Sequence, residues 1–233
     1  AFLRSCHHMR VARDRYLHLY GANIGRGSDG EFRVLGDRTQ SPSGAGYALE
    51  NRLVLSRLLP DAFRDCQVQR LAPFFRALRE TLCAIAPHNR DNPRIVLLTP
   101  GPYNETYFEH AYLARYLGFP LVEGHDLTVR NGCVWLKTLS GLQRVHAILR
   151  RLDDAFCDPL ELTGDSTQGV AGLAHAARRG HGRPAPPGQC GRWPGQCVGG
   201  PHGWAASPAE RSRRRQTPGR APRRERARRY GRR

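Results

Sequence analysis

From residue 181 to the C-terminal Arg233 the chain contains no Leu, Ile, Phe or Met, and Val198 is its one β-branched aliphatic residue. Ordering a residue costs roughly 1–2 kcal/mol of backbone entropy, which burial of apolar surface has to offset. These last residues carry too little of it and are expected to be disordered. Any core must therefore come from residues 1–180. The change is abrupt: apolar patterning runs through Leu173 and Ala177, then gives way to His181-Gly-Arg-Pro-Ala-Pro-Pro187.

Charge follows the same division. The net charge of +17 suggests a nucleic-acid partner, but residues 1–180 hold 23 Arg/Lys against 18 Asp/Glu, while the tail sets 14 Arg against Glu210 and Glu225. A nucleic acid would thus bind only non-specifically, through the tail and by salt-dependent electrostatics. Trp193, Trp204 and Tyr230 are too few to interleave as a stacking platform. Lys137 is the only lysine among 37 basic residues. Arg, Ala, Gly and Pro share GC-rich codons, and translation of such DNA in a shifted frame again yields these residues. The tail is read as out-of-frame sequence, and the chain, which starts Ala1-Phe2-Leu3, as an incomplete piece of a longer protein.

The seven cysteines (Cys6, Cys66, Cys83, Cys133, Cys157, Cys190 and Cys197) are odd in number and form no C-x-x-C pair. That pattern fits reduced cytoplasmic thiols. Cys190 and Cys197 with His181 and His202 match no common zinc spacing. The sequence has no apolar run of membrane-spanning length and no signal-peptide profile.

Periodicity predicts an α/β chain. Tyr16–Tyr20 and Glu31–Leu35 read as paired strands around a turn at Gly25–Gly30. Helices are expected from about Tyr47 to Leu59, stopped by Pro60, and across Leu71, Phe74, Phe75, Leu78, Leu82 and Ile85. Ile95–Leu98 is a continuous apolar run, as in a buried parallel strand. A helix over about Glu105–Leu117, closed by Gly118, and a strand at Phe119–Val122 complete a βαβ unit. Asn131-Gly132 marks a hairpin between Leu127–Arg130 and Cys133–Leu136, and Val145–Leu149 gives a further strand.

Ligands of open α/β sheets lie beyond the carboxyl ends of the strands. Three segments fall there: Thr99–Asn104, Glu123–Asp126 and Arg150–Asp154. The first leads into a helix N-terminus suited to an anion, or is a Pro/Gly turn with Asn104 as N-cap. Glu123 and Asp126 face a metal or an amine, or form a solvated turn. Arg150 and Arg151 clamp a carboxylate or phosphate, or belong to a surface ion-pair cluster. A fourth candidate is the Ser/Gly loop after Asp37, whose backbone suits close approach to phosphate oxygens although it lacks the order of a P-loop.

The runs Asp37-Arg-Thr-Gln-Ser-Pro-Ser-Gly-Ala-Gly-Tyr-Ala-Leu-Glu-Asn-Arg52, Leu97-Leu-Thr-Pro-Gly-Pro-Tyr-Asn-Glu-Thr-Tyr-Phe-Glu-His110, Leu121-Val-Glu-Gly-His-Asp-Leu127 and Arg150-Arg-Leu-Asp-Asp-Ala-Phe-Cys-Asp-Pro-Leu-Glu161 resemble the circularly permuted ATP-grasp proteins, type 2. The resemblance covers about residues 2–179. It implies a partial ATP-grasp element over residues 1–90 and a Rossmann-like pre-ATP-grasp domain over 91–179, ahead of the tail at 180–233. It further implies ATP and Mg²⁺ as cofactors, and small-molecule carboxylate and amine (or thiol) substrates joined through an acyl phosphate. Residue by residue, it makes Asp37 the metal ligand, although Gly36 and Arg38 stand where related permuted proteins often carry Glu and Asn. Ser43, Gly44 and Asn51 fall on the cofactor side, and Arg52 and Arg150 are the catalytic candidates. Thr99, Gly101, Asn104, Glu105, Glu123, Asp126 and Arg151 fall on the substrate side. The family's remaining nucleotide-binding half would follow where the tail begins, so the chain is expected to be inactive by itself. Two other readings stand beside this one: a nucleic-acid binder acting through the tail, and a non-catalytic small-molecule binding module.

Overall fold

A computed structural model describes residues 17–86 and 92–179 and the two-residue strand Cys197–Val198. The chain is mixed α/β. It opens with an antiparallel hairpin of β1 (Gly21–Arg26) and β2 (Phe32–Arg38). The first strand was expected at Tyr16–Tyr20, but residues 17–20 are irregular and the pairing starts at Gly21. The turn decides this. Gly30 N–H donates to Gly27 O at 3.0 Å and Gly27 N–H to Glu31 O at 2.9 Å. The ladder therefore zips outward from Arg26↔Phe32, whatever the alternation upstream.

Three helices follow: α1 (Ala45–Leu58), α2 (Pro60–Asp65) and α3 (Ala72–Ile85). Pro60 does stop α1, but it also occupies the first turn of α2, where its missing N–H costs nothing. That second role is why α2 escaped the sequence reading. In α3 the expected stripe is buried at Phe75, Leu78, Leu82 and Ile85.

The centre is a parallel sheet. β3 (Ile95–Leu98) pairs with β4 (Leu121–Val122) on one side and β8 (Ala147–Arg150) on the other, and β9 (Cys197–Val198) extends β8. The register Ile95↔Ala147 to Leu98↔Arg150 aligns the carboxyl ends of β3 and β8. Helix α4 (Tyr107–Leu117) crosses from β3 to β4 and ends on Gly118 at φ 74°. It starts two residues later than expected because Asn104 Oδ1 accepts the Thr106 N–H at 2.9 Å in a turn ahead of it. Between β4 and β8 lies a meander of β5 (Leu127–Arg130), β6 (Cys133–Thr138) and β7 (Gly141–Arg144). Asn131 and Gly132 form the β5–β6 turn, both at positive φ. The third strand was not expected, since Gly-Leu-Gln-Arg carries almost no apolar alternation.

All four residues of β3 are buried, on alternating faces. Val96, Leu98 and Ile148 meet Val122, Leu127, Val134 and, from helix α5 (Leu173–Arg179), Leu173 and Ala176. Ile95, Leu97, Ala147 and Leu149 meet α4 through Leu113 and Leu117, α3 through Phe75, Leu78 and Leu82, and α1 through Leu49. Cover on both faces is what an all-apolar parallel strand requires. Cys66, Cys83 and Cys157 are free, whereas Cys133 is disulfide-bonded, so the expectation of reduced thiols fails at that position. Among the described residues no helix is long and apolar enough to cross a membrane. Apart from β9, the expected disordered tail lies outside the described residues, as do all four members of the zinc alternative except the backbone of Cys197.

Candidate functional site

Four loops converge at the carboxyl end of the parallel sheet. Leu98 runs into Thr99, and Arg150 into Arg151, whose N–H donates to Leu98 O at 2.8 Å. Thr99 is buried and opens a hydrogen-bonded chain. Thr106 Oγ1 donates to Asn104 Oδ1 at 2.6 Å, so its oxygen is left to accept from His110 Nε2 at 3.0 Å. His110 Nδ1 is then the acceptor for Thr99 Oγ1 at 2.9 Å, and that oxygen in turn accepts the Gly101 N–H at 3.3 Å. A neutral imidazole with its proton on Nε2 satisfies every link. Burial, reinforced by the nearby Arg151 cation, pushes the His110 pKa down to about 4 and keeps the ring in that neutral form.

The second loop turns at Gly124–Asp126. Asp126 Oδ2 accepts the Glu123 N–H at 2.9 Å, half of a reciprocal capping box between the two residues. Glu123 lies beside Gly101, so the first two loops touch. Lys137, the lone lysine, donates from Nζ to His125 O at 2.7 Å and so stands at this turn. In the third loop Arg150 and Arg151 are both buried. Arg150 Nη1 donates to Leu152 O. Arg151 Nη1 donates to Pro42 O at 2.9 Å, and Nη2 lies 3.7 Å from Glu109 Oε2. Burial works against the charged form of Arg151, and the Glu109 carboxylate supports it.

The fourth loop comes from the N-terminal segment. Ser41 Oγ donates to Arg150 O at 3.1 Å, Asp154 N–H to Gln40 Oε1 at 3.4 Å, and the N–H groups of Gly44 and Gly46 to Glu109 Oε1 at 2.8 and 2.9 Å. The structure thus gathers Ser43, Gly44, Thr99, Gly101, Asn104, Glu123, Asp126, Arg150 and Arg151 on these four loops, with exposed Glu105 at their edge. It does not bring Asp37, Asn51 and Arg52 into that network. Asp37 lies exposed on β2 and accepts the Tyr20 hydroxyl at 2.6 Å. Asn51 is exposed on α1, and Arg52 donates to Gln69 O.

Sequence reasoning missed Glu109, His110 and Asp158. Glu109 and His110 lie within a quoted run, but their spacing carries no signal of burial. Asp158 is fully buried. Its Oδ1 accepts the N–H groups of Leu160 and Gly172 at 2.9 and 3.1 Å and its Oδ2 that of Ala174 at 2.9 Å, tying the loop after β8 to α5. Asp-Pro followed by Leu was its only trace in the sequence.

A parallel sheet with four loops gathered at its carboxyl end, one of them from a preceding segment, defines an α/β protein with the loop arrangement at which open α/β sheets generally carry their ligands. The chain belongs to the circularly permuted ATP-grasp type 2 family, which it matches over residues 1–183. It is 42% identical over 179 residues to the uncharacterized protein Rv2567 of Mycobacterium tuberculosis, covering 77% of this chain and 20% of that protein. It is 44% identical over 165 residues to Rv2411c of the same organism, 71% of this chain and 30% of the relative. To the uncharacterized protein sll0335 of Synechocystis it is 41% identical over 179 residues, 77% and 37% of the two chains. The chain thus spans between a fifth and somewhat over a third of the length of these relatives.

Proposed function

We propose that this chain is part of an ATP-dependent carboxylate–amine (or thiol) ligase. In this reading ATP phosphorylates a carboxylate, releasing ADP, and the amine then displaces phosphate from the acyl phosphate. Family membership over residues 1–183 is the observation that carries it. The position of the Ser41–Gly46 loop over the carboxyl ends of β3 and β8 supports it. Residues 1–90 would supply the partial ATP-grasp element and 91–179 a Rossmann-like pre-ATP-grasp domain. These are divisions of the chain, because α1 and α3 pack into the same core as β3, α4 and β8. Substrates would meet Thr99, Gly101, Asn104, Glu105, Glu123 and Asp126, and ATP phosphates Ser43; Asn51, outside the loop network, has no place in this reading. Arg150 is the proposed catalytic cation, and Arg52, outside the loop network, would act only after a rearrangement that brings it to the sheet edge. Both donate to backbone carbonyls, Gln69 O and Leu152 O, and would exchange these for ligand oxygens.

Magnesium does not fit the described residues by themselves. Among them no three His, Cys, Asp or Glu side chains are grouped to hold a metal ion, and Asp37 offers one carboxylate already bonded to Tyr20. We place the protein in the cytoplasm, with nucleic acid at most a non-specific partner of the tail.

The test is ADP release from MgATP with mixed carboxylates and amines. The chain alone should give none. A chimera in which residues 1–179 replace the matched segment of Rv2411c should give release that Arg150→Ala abolishes. A folded chimera that binds no ATP would overturn the ligase reading.

A further inference from the structure

The Ser41–Gly46 loop was expected to turn its backbone N–H groups toward phosphate. Two of them already have an anion. Glu109, 1% exposed, receives both the Gly44 and the Gly46 N–H on Oε1, at the N-terminus of α1 where a carboxylate is favoured. A Cβ at position 46 would sit 2.8 Å from Glu109 Cγ, so the approach requires glycine there, and Gly44 holds φ 113°. The other carboxylate oxygen, Oε2, makes no hydrogen bond and faces Arg151 Nη2 at 3.7 Å. Arg151, 6% exposed, reaches past Glu109 to Pro42 O. Ser41, a non-glycine residue at φ 36°, is held there by its bond to Arg150 O. Such a backbone conformation persists only where its surroundings impose it. The hydrogen bonds that tie this loop to the sheet thus end on Glu109 of α4 or on Arg150 and Arg151 at the end of β8, while Pro42 also packs against Gly21 of β1.

We propose that Glu109 and Arg151 are positioning residues that fasten the Ser41–Gly46 loop to the carboxyl end of the parallel sheet, and that the Gly44 and Gly46 N–H groups serve this docking and not a phosphate. The buried pair compensates itself. An unpaired Glu109 would be an isolated carboxylate in the core, and an unpaired Arg151 an isolated cation. Docking leaves Ser43, the exposed residue between the anchored positions, as the part of the loop able to face a nucleotide. The inference takes from the proposed function only that this loop borders the ATP phosphates.

Residue-resolved amide exchange on the whole chain, with Glu109→Gln, Glu109→Leu and Arg151→Met beside it, tests the docking. In the wild type the Gly44 and Gly46 amides should be protected together with those of Leu97 and Ile148. Glu109→Leu should speed Gly44 and Gly46 exchange by roughly 10- to 100-fold, the factor for losing a hydrogen bond to a charged acceptor. Glu109→Gln keeps an accepting oxygen and should restore most of that protection, which a volume-filling role would not predict. Arg151→Met should loosen the Ser41–Pro42 end. Fast exchange of Gly44 and Gly46 in the wild type overturns the proposal without recourse to any variant. So does unchanged exchange in a Glu109→Leu chain that keeps its sheet protection. Adding MgATP separates the two layers of the argument. A Ser43 response with Gly44 and Gly46 still bonded to Glu109 supports both. Direct capture of those two amides by MgATP overturns the docking. Silence at Ser43 counts against the phosphate reading and leaves the docking standing.

Discussion

The β1–β2 hairpin and the parallel sheet both carry large apolar side chains, yet the fold treats them in opposite ways. In β3 and β8 every residue is buried. In the hairpin Ile24, Phe32 and Leu35 are 61%, 73% and 74% exposed. The sheet lies between two covered faces and carries its own helices. The hairpin is a two-stranded ribbon, a form that is marginal in water unless something packs on it, and its large apolar side chains stay mostly exposed, with only the Arg26 guanidinium lying over the Phe32 ring. Apolar content alone therefore does not mark a core; cover does.

The sharpest way to break the comparison is one truncation made twice. Leu97→Ala removes a fully buried side chain and should cost about 2–5 kcal/mol in urea unfolding. Leu35→Ala removes the same atoms from an exposed site and should fall within about 0.5 kcal/mol of wild type. Equal costs would mean that the hairpin is packed after all.

Next in size is Asp158→Ala. It leaves three N–H groups, of which that of Ala174 is buried, without their carboxylate and should cost about 1.5–3 kcal/mol, the range for hydrogen bonds to a charged acceptor. Urea unfolding within error of wild type would show that the loop after β8 does not depend on it.

His110 yields a pH dependence with a definite sign. Its folded pKa, about 4, lies below the ordinary value of 6.5, so the unfolded chain takes up the proton first. The stability contributed by the neutral ring is complete above about pH 6.5 and is lost as pH falls toward 4. His110→Gln, which keeps one donor and one acceptor, should remove that part of the slope. Unfolding midpoints followed from pH 7.5 to 4 check this, and an unchanged slope in the variant would contradict it.

The smallest effect belongs to the hairpin surface. Leu35→Ser should lower the fluorescence of a hydrophobic dye bound to the chain and leave the urea midpoint in place. A shifted midpoint would again argue that the strand is covered.

What could be read from the sequence follows the same contrast. Ile95–Leu98 was legible as a buried parallel strand because a continuous apolar run has few other fates. Asn131-Gly132 and Gly118 were legible because left-handed backbone favours those residues. The position of β1 was not, because the turn at Gly27–Gly30 sets the register of a strand whose own sequence, Gly-Ala-Asn-Ile-Gly-Arg, is a weak strand former. The loops of the candidate site were placed by their positions after strands. Their fastening was not legible, since Glu109 meets Gly44 and Gly46 across more than sixty positions of chain. Arg151 reads as a ligand clamp or a surface ion-pair residue in the sequence and is a buried partner of Glu109 in the fold.

Native-state hydrogen exchange across a urea series tests the central claim most directly, namely that the Ser41–Gly46 loop belongs to the sheet while the neighbouring hairpin stands apart. The amides of Gly44, Gly46, Leu97 and Ile148 should exchange through one global opening with the full urea dependence. Those of the β1–β2 ladder should exchange through a cheaper local opening that urea hardly affects. The opposite grouping, with Gly44 and Gly46 opening together with the hairpin while the sheet stays closed, would contradict the account.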